Sequence, residues 1–381
     1  MIHVRLLPAL LIVAACLPAY AQWEMQNSNT KADLRGIHAV GAGVAWASGS
    51  KGTVLRTEDG GYVWQTCAMP PGAEQLDFRS IWAWDAQTAI VMSSGRGDES
   101  RLFKTSDGCS SWKLLYTNPD AEGFWDALNF PDPKHGIILG DPVNGRFVIF
   151  RSEDGGLHWK RTDSPSLVAD SRGEGAFAAS NSSYVAIPFS GKYTIETPLG
   201  AALEFFATSG PGGPNVFYLA MRDPEPAPSA AKSRRSAERE PVPVLKWMKT
   251  TVPMARATPS QGVFSLAFQD AETGIAVGGD YEAPNVATGT AAYTLDNGKT
   301  WIASIKPPHG YRSSVAWSAA DKAWVTVGTN GADVSRDDGK TWQQTTISAD
   351  GGPWNALSLP WVVGPKGRIA KLVSLTKQGA K

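Results

Sequence analysis

Ser335-Arg336-Asp337-Asp338-Gly339-Lys340-Thr341-Trp342 is one of five copies of a single pattern, Ser/Thr-x-Asp-x-Gly-x-x-Trp. The others begin at Thr57, Thr105, Ser152 and Thr294, carry Asp59, Asp107, Asp154 and Asp296, and end at Trp64, Trp112, Trp159 and Trp301. Only the second departs, with Cys109 in the place of the glycine. Each part of the pattern has a mechanical reason. The hydroxyl and carboxylate can accept hydrogen bonds from turn amides, glycine takes positive φ, and Trp opens the next strand with its ring buried. A β-hairpin turn at fixed spacing, repeated five times, predicts a repeat architecture.

These residues resemble the Asp-box, or BNR, repeat of sialidases and other β-propellers, which joins the third and fourth strands of a blade. The resemblance makes Asp59, Asp107, Asp154, Asp296 and Asp337 structural. The tryptophans that end the repeats, Trp23, Trp64, Trp112, Trp159, Trp247, Trp301 and Trp342, lie one blade of ~40–50 residues apart, except across the long gap before Trp247. That gap holds a Pro/Ala/charge-rich run at 222–244 with no core-forming pattern, which reads as a mobile insertion in one enlarged blade. After Trp342 the chain has room for only three short strands, so the strand around Trp23 is expected to complete the last blade and close the ring. The expectation is a single all-β domain over 22–381, a seven-bladed β-propeller of four-stranded antiparallel blades. Eight blades are the alternative if residues 173–247 hold two.

Composition agrees. Among 381 residues there are 39 Gly, 26 Pro and 15 Trp, many tight turns and many large apolar pockets, which excludes a helical bundle. The 36 Lys+Arg balance 36 Asp+Glu, so generic nucleic-acid binding is disfavoured. Residues 1–21 read as a signal peptide: a charged start, an apolar run too short to span a bilayer, and Ala19-Tyr20-Ala21 as the cleavage site. The protein is therefore expected to be periplasmic or extracellular. A weak lipobox, Val13-Ala14-Ala15-Cys16, offers acylation at Cys16 as a second reading. No later segment is apolar enough to cross a membrane. An oxidising compartment permits a bridge between Cys67 and Cys109, but two unpaired buried thiols are the expectation.

In an up-and-down blade, the starts of the innermost strands and the glycine-rich loops between second and third strands share one face. That face concentrates Arg35, Arg79, Asp126, Asp141, Glu174, Asp280, Tyr281, Arg312, Lys366 and Arg368, the candidate ligand-binding residues at the mouth of the central channel. The wording of these strands, including Gly123-Phe124-Trp125-Asp126, Gly140-Asp141-Pro142, Gly278-Gly279-Asp280-Tyr281 and Val363-Gly364-Pro365-Lys366-Gly367-Arg368-Ile369, resembles the exported bacterial branch of the photosystem II stability/assembly-factor-like propellers. The photosynthetic members imply binding of an assembly intermediate through an arginine-rich face, whereas this face is mixed in charge. The expected function is a non-catalytic binding scaffold for a protein, a peptide or a glycan, acting as a monomer. The alternative is a glycoside hydrolase working through paired carboxylates at the same mouth, without the Arg-Ile-Pro motif of sialidases. No nucleotide-binding glycine fingerprint occurs, and His38, His135, His158 and His309 are scattered, so no cofactor or metal is expected.

Overall fold

The computed structural model describes residues 21–41, 43–188, 202–222, 244–345 and 351–375. All but the last residue of the expected signal peptide and nearly all of the 222–244 insertion lie outside the described residues. Within them the chain forms seven four-stranded antiparallel sheets, a seven-bladed propeller. Blade 1 runs Leu34–Gly41, Val44–Gly49, Val54–Thr57 and Gln65–Thr66; blade 2 runs Phe78–Ala83, Ala89–Ser93, Arg101–Thr105 and Lys113–Thr117. Blade 3 comprises Trp125–Asn129, Gly136–Val143, Arg146–Ser152 and Lys160–Thr162, and blade 4 Tyr184–Pro188, Ala202–Ala207, Asn215–Arg222 and Val244–Thr251. Blade 5 holds Gln261–Phe268, Gly274–Asp280, Ala291–Thr294 and Ile302–Ala303; blade 6 holds Ser314–Ser318, Ala323–Gly328, Gly331–Ser335 and Gln343–Thr345. Blade 7 takes Ala356–Ser358, Trp361–Gly364 and Arg368–Leu375 from the end of the chain and Ala21–Gln26 from its beginning. That last strand pairs antiparallel with Arg368–Leu375, so residues from the two ends of the chain share one ladder, as expected.

The core consists of seven clusters, and each fills the seam between two neighbouring blades. This explains the tryptophan repeat. Trp64 of blade 1 packs with blade 7, meeting Trp361 edge-on at 5.3 Å. Trp112 packs on blade 1, Trp159 on blade 2, Trp247 on blade 3, Trp301 on blade 4, Trp342 on blade 5 and Trp23 on blade 6. Every repeat therefore spends its tryptophan on the blade before it, and the N-terminal strand supplies the seventh.

The five repeat turns join third to fourth strands and share one hydrogen-bond set. In blade 1 the Thr57 hydroxyl donates to Asp59 Oδ1 (2.9 Å), while the amides of Gly61 and Val63 donate to Thr57 Oγ1 and Asp59 Oδ1 (3.0 Å each). The set recurs at Thr105/Asp107, Ser152/Asp154, Thr294/Asp296 and Ser335/Asp337. In blade 2 the second residue after Asp107 is Cys109, held at φ 63°. Contrary to the expectation of free thiols, Cys109 is bonded to Cys67. The bridge ties the turn of blade 2 to the segment leaving blade 1, where the Ala68 amide also donates to the Cys109 carbonyl (3.1 Å).

Candidate binding site at the channel mouth

The inner strands do not enter the blades smoothly. In blade 1 Leu34 opposes Gly49 and Gly36 opposes Ser48, which leaves Arg35 as an extra, bulged residue. The same break leaves Arg79 in blade 2, Asp126 in blade 3 and Phe264 in blade 5. Ser313 and Asn355 hold this place in blades 6 and 7: their amides bond the carbonyls of Val327 and Val363, which already oppose Ser314 and Ala356. A bulge re-aims one side chain and sharpens the local twist. In blade 5 a glycine near the end of the second strand lets the entering backbone come close, since a Cβ at Gly278 would lie 2.0 Å from the Gly262 carbonyl oxygen. Six blades thus present one bulged residue each at the same end of the ring.

Blade 4 replaces the bulge by a longer excursion. Gly175 exchanges both backbone bonds with Ser209, but the inner strand begins only at Tyr184, ten residues after Glu174, the mouth residue expected from this blade. The residues between cross the mouth. Phe177 stacks on Phe264 of blade 5 (ring centroids 4.0 Å), and the Ser180 hydroxyl donates to the Ser313 carbonyl of blade 6 (2.8 Å). Phe264 also meets Tyr311 edge-on at 4.9 Å, and Tyr281 meets Phe177 and Phe264 edge-on at 6.0 Å while remaining 45% exposed. Blades 4 to 6 therefore give the mouth an aromatic side.

Blades 1 to 3 give it a charged side. Arg35 is held by Asp33 (3.4 Å) and Arg79 by Asp77 (2.8 Å), each two residues earlier in the chain. Arg35 lies close enough to Tyr311, two blades away, to act on its hydroxyl, which burial pushes above the ordinary tyrosine range. Asp126 is 1% exposed, and neither carboxylate oxygen has a hydrogen-bond partner among the described residues. Burial first, then the nearby Asp141 carboxylate, push its carboxyl well above the ordinary range, with Arg79 pulling the other way. Asp141 accepts the Ala176 amide (2.9 Å), yet burial lifts it to about 6.

The other sequence candidates divide differently. Arg312 is fully buried inside blade 6, because it stands one residue before the bulge, where the other blades place Leu34, Phe78, Trp125, Val263 and Trp354. There its guanidinium clamps Asp333 (Nε to Oδ2, 2.8 Å) beside His309. Glu174 is sealed and saturated, accepting from Thr208 Oγ1 (2.6 Å), Asn215 Nδ2 (2.7 Å), the Asp170 amide (2.8 Å) and Lys249 Nζ (3.0 Å). Asp280 accepts from Gln261 Nε2 (3.0 Å). Lys366 is exposed on the turn of blade 7, and Arg368 lies over the Trp354 ring at 4.8 Å. The residues missed at the sequence level are Asp33, Asp77, Phe177 and Tyr311. The first two leave a signal, the Asp-x-Arg spacing repeated in blades 1 and 2.

No family model and no curated protein matches the chain. Among solved structures it is similar to one described as YCF48 bound to D1 peptide: 15% identical over 94% of this chain and 97% of that one, TM-score 0.55. It is also similar to YCF48 from Cyanidioschyzon merolae (17% identical, 92% and 98% covered, TM-score 0.53) and to the WD40 β-propeller domain of Doa1 (10%, 93% and 96%, 0.53). At these identities the likeness establishes the propeller fold.

Proposed function

We propose that the chain is an exported, non-catalytic binding propeller, of the assembly-factor-like kind its inner strands and loops resemble, that receives a peptide or polar tail at the channel mouth. The observation that carries this reading is the bulge ring: it sets Arg35 and Arg79, both partly exposed and each held by the aspartate two residues earlier, at the same mouth as the aromatic side. A solved propeller of the same shape is described with a bound peptide. Export is supported by the signal-like N-terminus and by the Cys67–Cys109 bridge, a bond that persists in oxidising compartments. A hydrolase is disfavoured because a catalytic carboxyl must touch its substrate, and Asp126 is closed to solvent. The hydrogen-bonded Tyr184–Glu204 pair, which also holds Arg151, is sealed between blades 3 and 4.

The test is a peptide and glycan array probed with the mature protein, repeated with Arg35→Ala/Arg79→Ala. The double variant is expected to melt like the parent and to bind its best peptides about tenfold or more weakly, with less salt dependence. Unchanged affinity, or turnover of a glycan by the parent, would overturn the reading.

A further inference from the structure

Away from the channel, on the outer slope of the same face, three connections meet around a cavity of about 470 Å³. Asp170 and Arg172 come from the link between blades 3 and 4, Gly212 and Asn215 from the central turn of blade 4, Lys249 from its outer strand, and Arg256 from the link to blade 5. The volume lies within the ~300–1,000 Å³ of small-molecule sites. The packing beneath is close: a Cβ on Gly212 would stand 2.7 Å from Asp170 Cβ.

The charge of this cavity is set by bonds around its wall. Asp170 spends both carboxylate oxygens on Arg172 (Nε to Oδ1 2.9 Å, Nη2 to Oδ2 2.8 Å), so those two charges cancel. Lys249 is tied to the buried Glu174 (3.0 Å), and its ammonium rests 5.1 Å from the Phe217 ring centroid. Glu174 is in turn fixed by Thr208 and Asn215, so the lysine is anchored from below. Arg256 is exposed and makes no ion pair among the described residues. Three cations against two carboxylates leave one uncompensated positive charge, and the Arg172 Nη1, Lys249 and Arg256 donors keep N–H groups to spare. A guanidinium with open donors beside a fixed ammonium matches the geometry of an oxyanion.

We infer that this cavity is a binding site for a small molecule bearing a phosphate or similar oxyanion, separate from the channel mouth, with Arg256 as its principal donor and Lys249 as its fixed second charge. Glu174, read from the sequence as a ligand contact, acts here as the positioning group for Lys249. The inference does not depend on the mouth, because none of the bulge residues lines the cavity.

Calorimetric titration of the mature protein with inorganic phosphate at low ionic strength tests it. One saturable site per chain is expected, with affinity falling about tenfold or more in Arg256→Glu and unchanged in Arg35→Ala/Arg79→Ala. Arg256 is exposed and makes no ion pair among the described residues, so the variant is expected to melt like the parent. A second titration compares glucose 6-phosphate with inorganic phosphate. Tighter binding of the sugar phosphate than of phosphate assigns the remaining volume to a carrier, and equal binding assigns the site to the free oxyanion. No saturation in the millimolar range, or equal phosphate affinity in parent and Arg256→Glu, would overturn the inference, and neither outcome bears on peptide binding at the mouth.

Discussion

The repeat turns and the bulged residues sit at opposite ends of the blades, and they treat their polar atoms in opposite ways. On the turn face the Asp carboxylate accepts a side-chain hydroxyl and at least one backbone amide in each of five blades, and the pattern is the same in each. At the mouth the equivalent positions hold Arg35, Arg79, Asp126, Phe264, Ser313 and Asn355, six positions filled by five residue types. The Asp126 carboxylate is left with no hydrogen-bond partner among the described residues. Repetition with saturated bonds is what stability alone requires, whereas variety with unsatisfied groups costs stability and marks the face kept for another task.

The largest test of the comparison removes the strand that both faces depend on. A chain beginning at Asn27 loses Trp23 from the blade 6 seam and leaves the edge of Arg368–Leu375 unpaired. Burial of one such ring is worth about 2 kcal/mol, and the open edge adds to it. The melting temperature is expected to fall by about 10 °C, with the turn face and the mouth losing hydrogen-exchange protection together. A variant that melts like the parent, or loses one face alone, would show that the two ends are not held by a common ring.

A smaller change should separate the faces. Asp337 accepts the Ser335 hydroxyl (2.9 Å) and, from Thr341, the amide (2.9 Å) and hydroxyl (2.6 Å). Asp337→Ala is expected to cost about 1–2 kcal/mol and to leave peptide binding unchanged. The pH dependence has a defined sign. Hydrogen bonds from the Thr341 hydroxyl and amide and the Ser335 hydroxyl overcome burial and hold its carboxyl below the ordinary 3.8; Asp107, bonded first by the Ser111 hydroxyl and amide, lies at about 2. Groups depressed on folding stabilise above their unfolded value, and that stability is lost as pH falls below about 4, the ordinary carboxyl value, through the lowered one. Chemical denaturation across this range should find Asp337→Ala converging on the parent at the acid end. A constant gap would mean that the carboxylate does not act through those bonds.

Sequence alone was sufficient for one face and only half sufficient for the other. The turns are local: the hydroxyl and carboxylate bonds they share close within eight residues, and the tryptophan that ends each one reports a seam that is equally regular. The mouth is decided by register. A shift of one residue separates Arg312, buried against Asp333, from Ser313 at the bulge, and periodicity cannot resolve a single residue where strands are entered through an irregularity. The excursion before Tyr184 carried Glu174 away from the axis in the same way. The Cys67–Cys109 bridge escaped because its partners belong to different repeats, 42 residues apart, and adjacency of two blades is not a local property.

Asp126 provides the smallest effect and the sharpest contrast with the turns. Its carboxyl is raised on folding, by burial and then by Asp141, where the turn carboxylates are lowered. A group raised on folding binds its proton more tightly in the native state, so the parent is expected to lose stability as pH rises from about 4, the ordinary carboxyl value, toward the raised one. Asp126→Asn keeps the shape and cannot ionise. It removes this loss while leaving the same desolvated polar volume in place. The variant is therefore expected to match the parent near pH 3 and to be more stable than it at pH 8, the reverse of Asp337→Ala in both the sign of its effect and the end of the pH range where that effect vanishes. Denaturant melts of parent and variant at a series of pH values decide the matter. If Asp126→Asn is destabilising at pH 8, the carboxylate has a stabilising partner at the mouth, and the contrast between a saturated face and an unsatisfied one fails at the residue that states it most strongly.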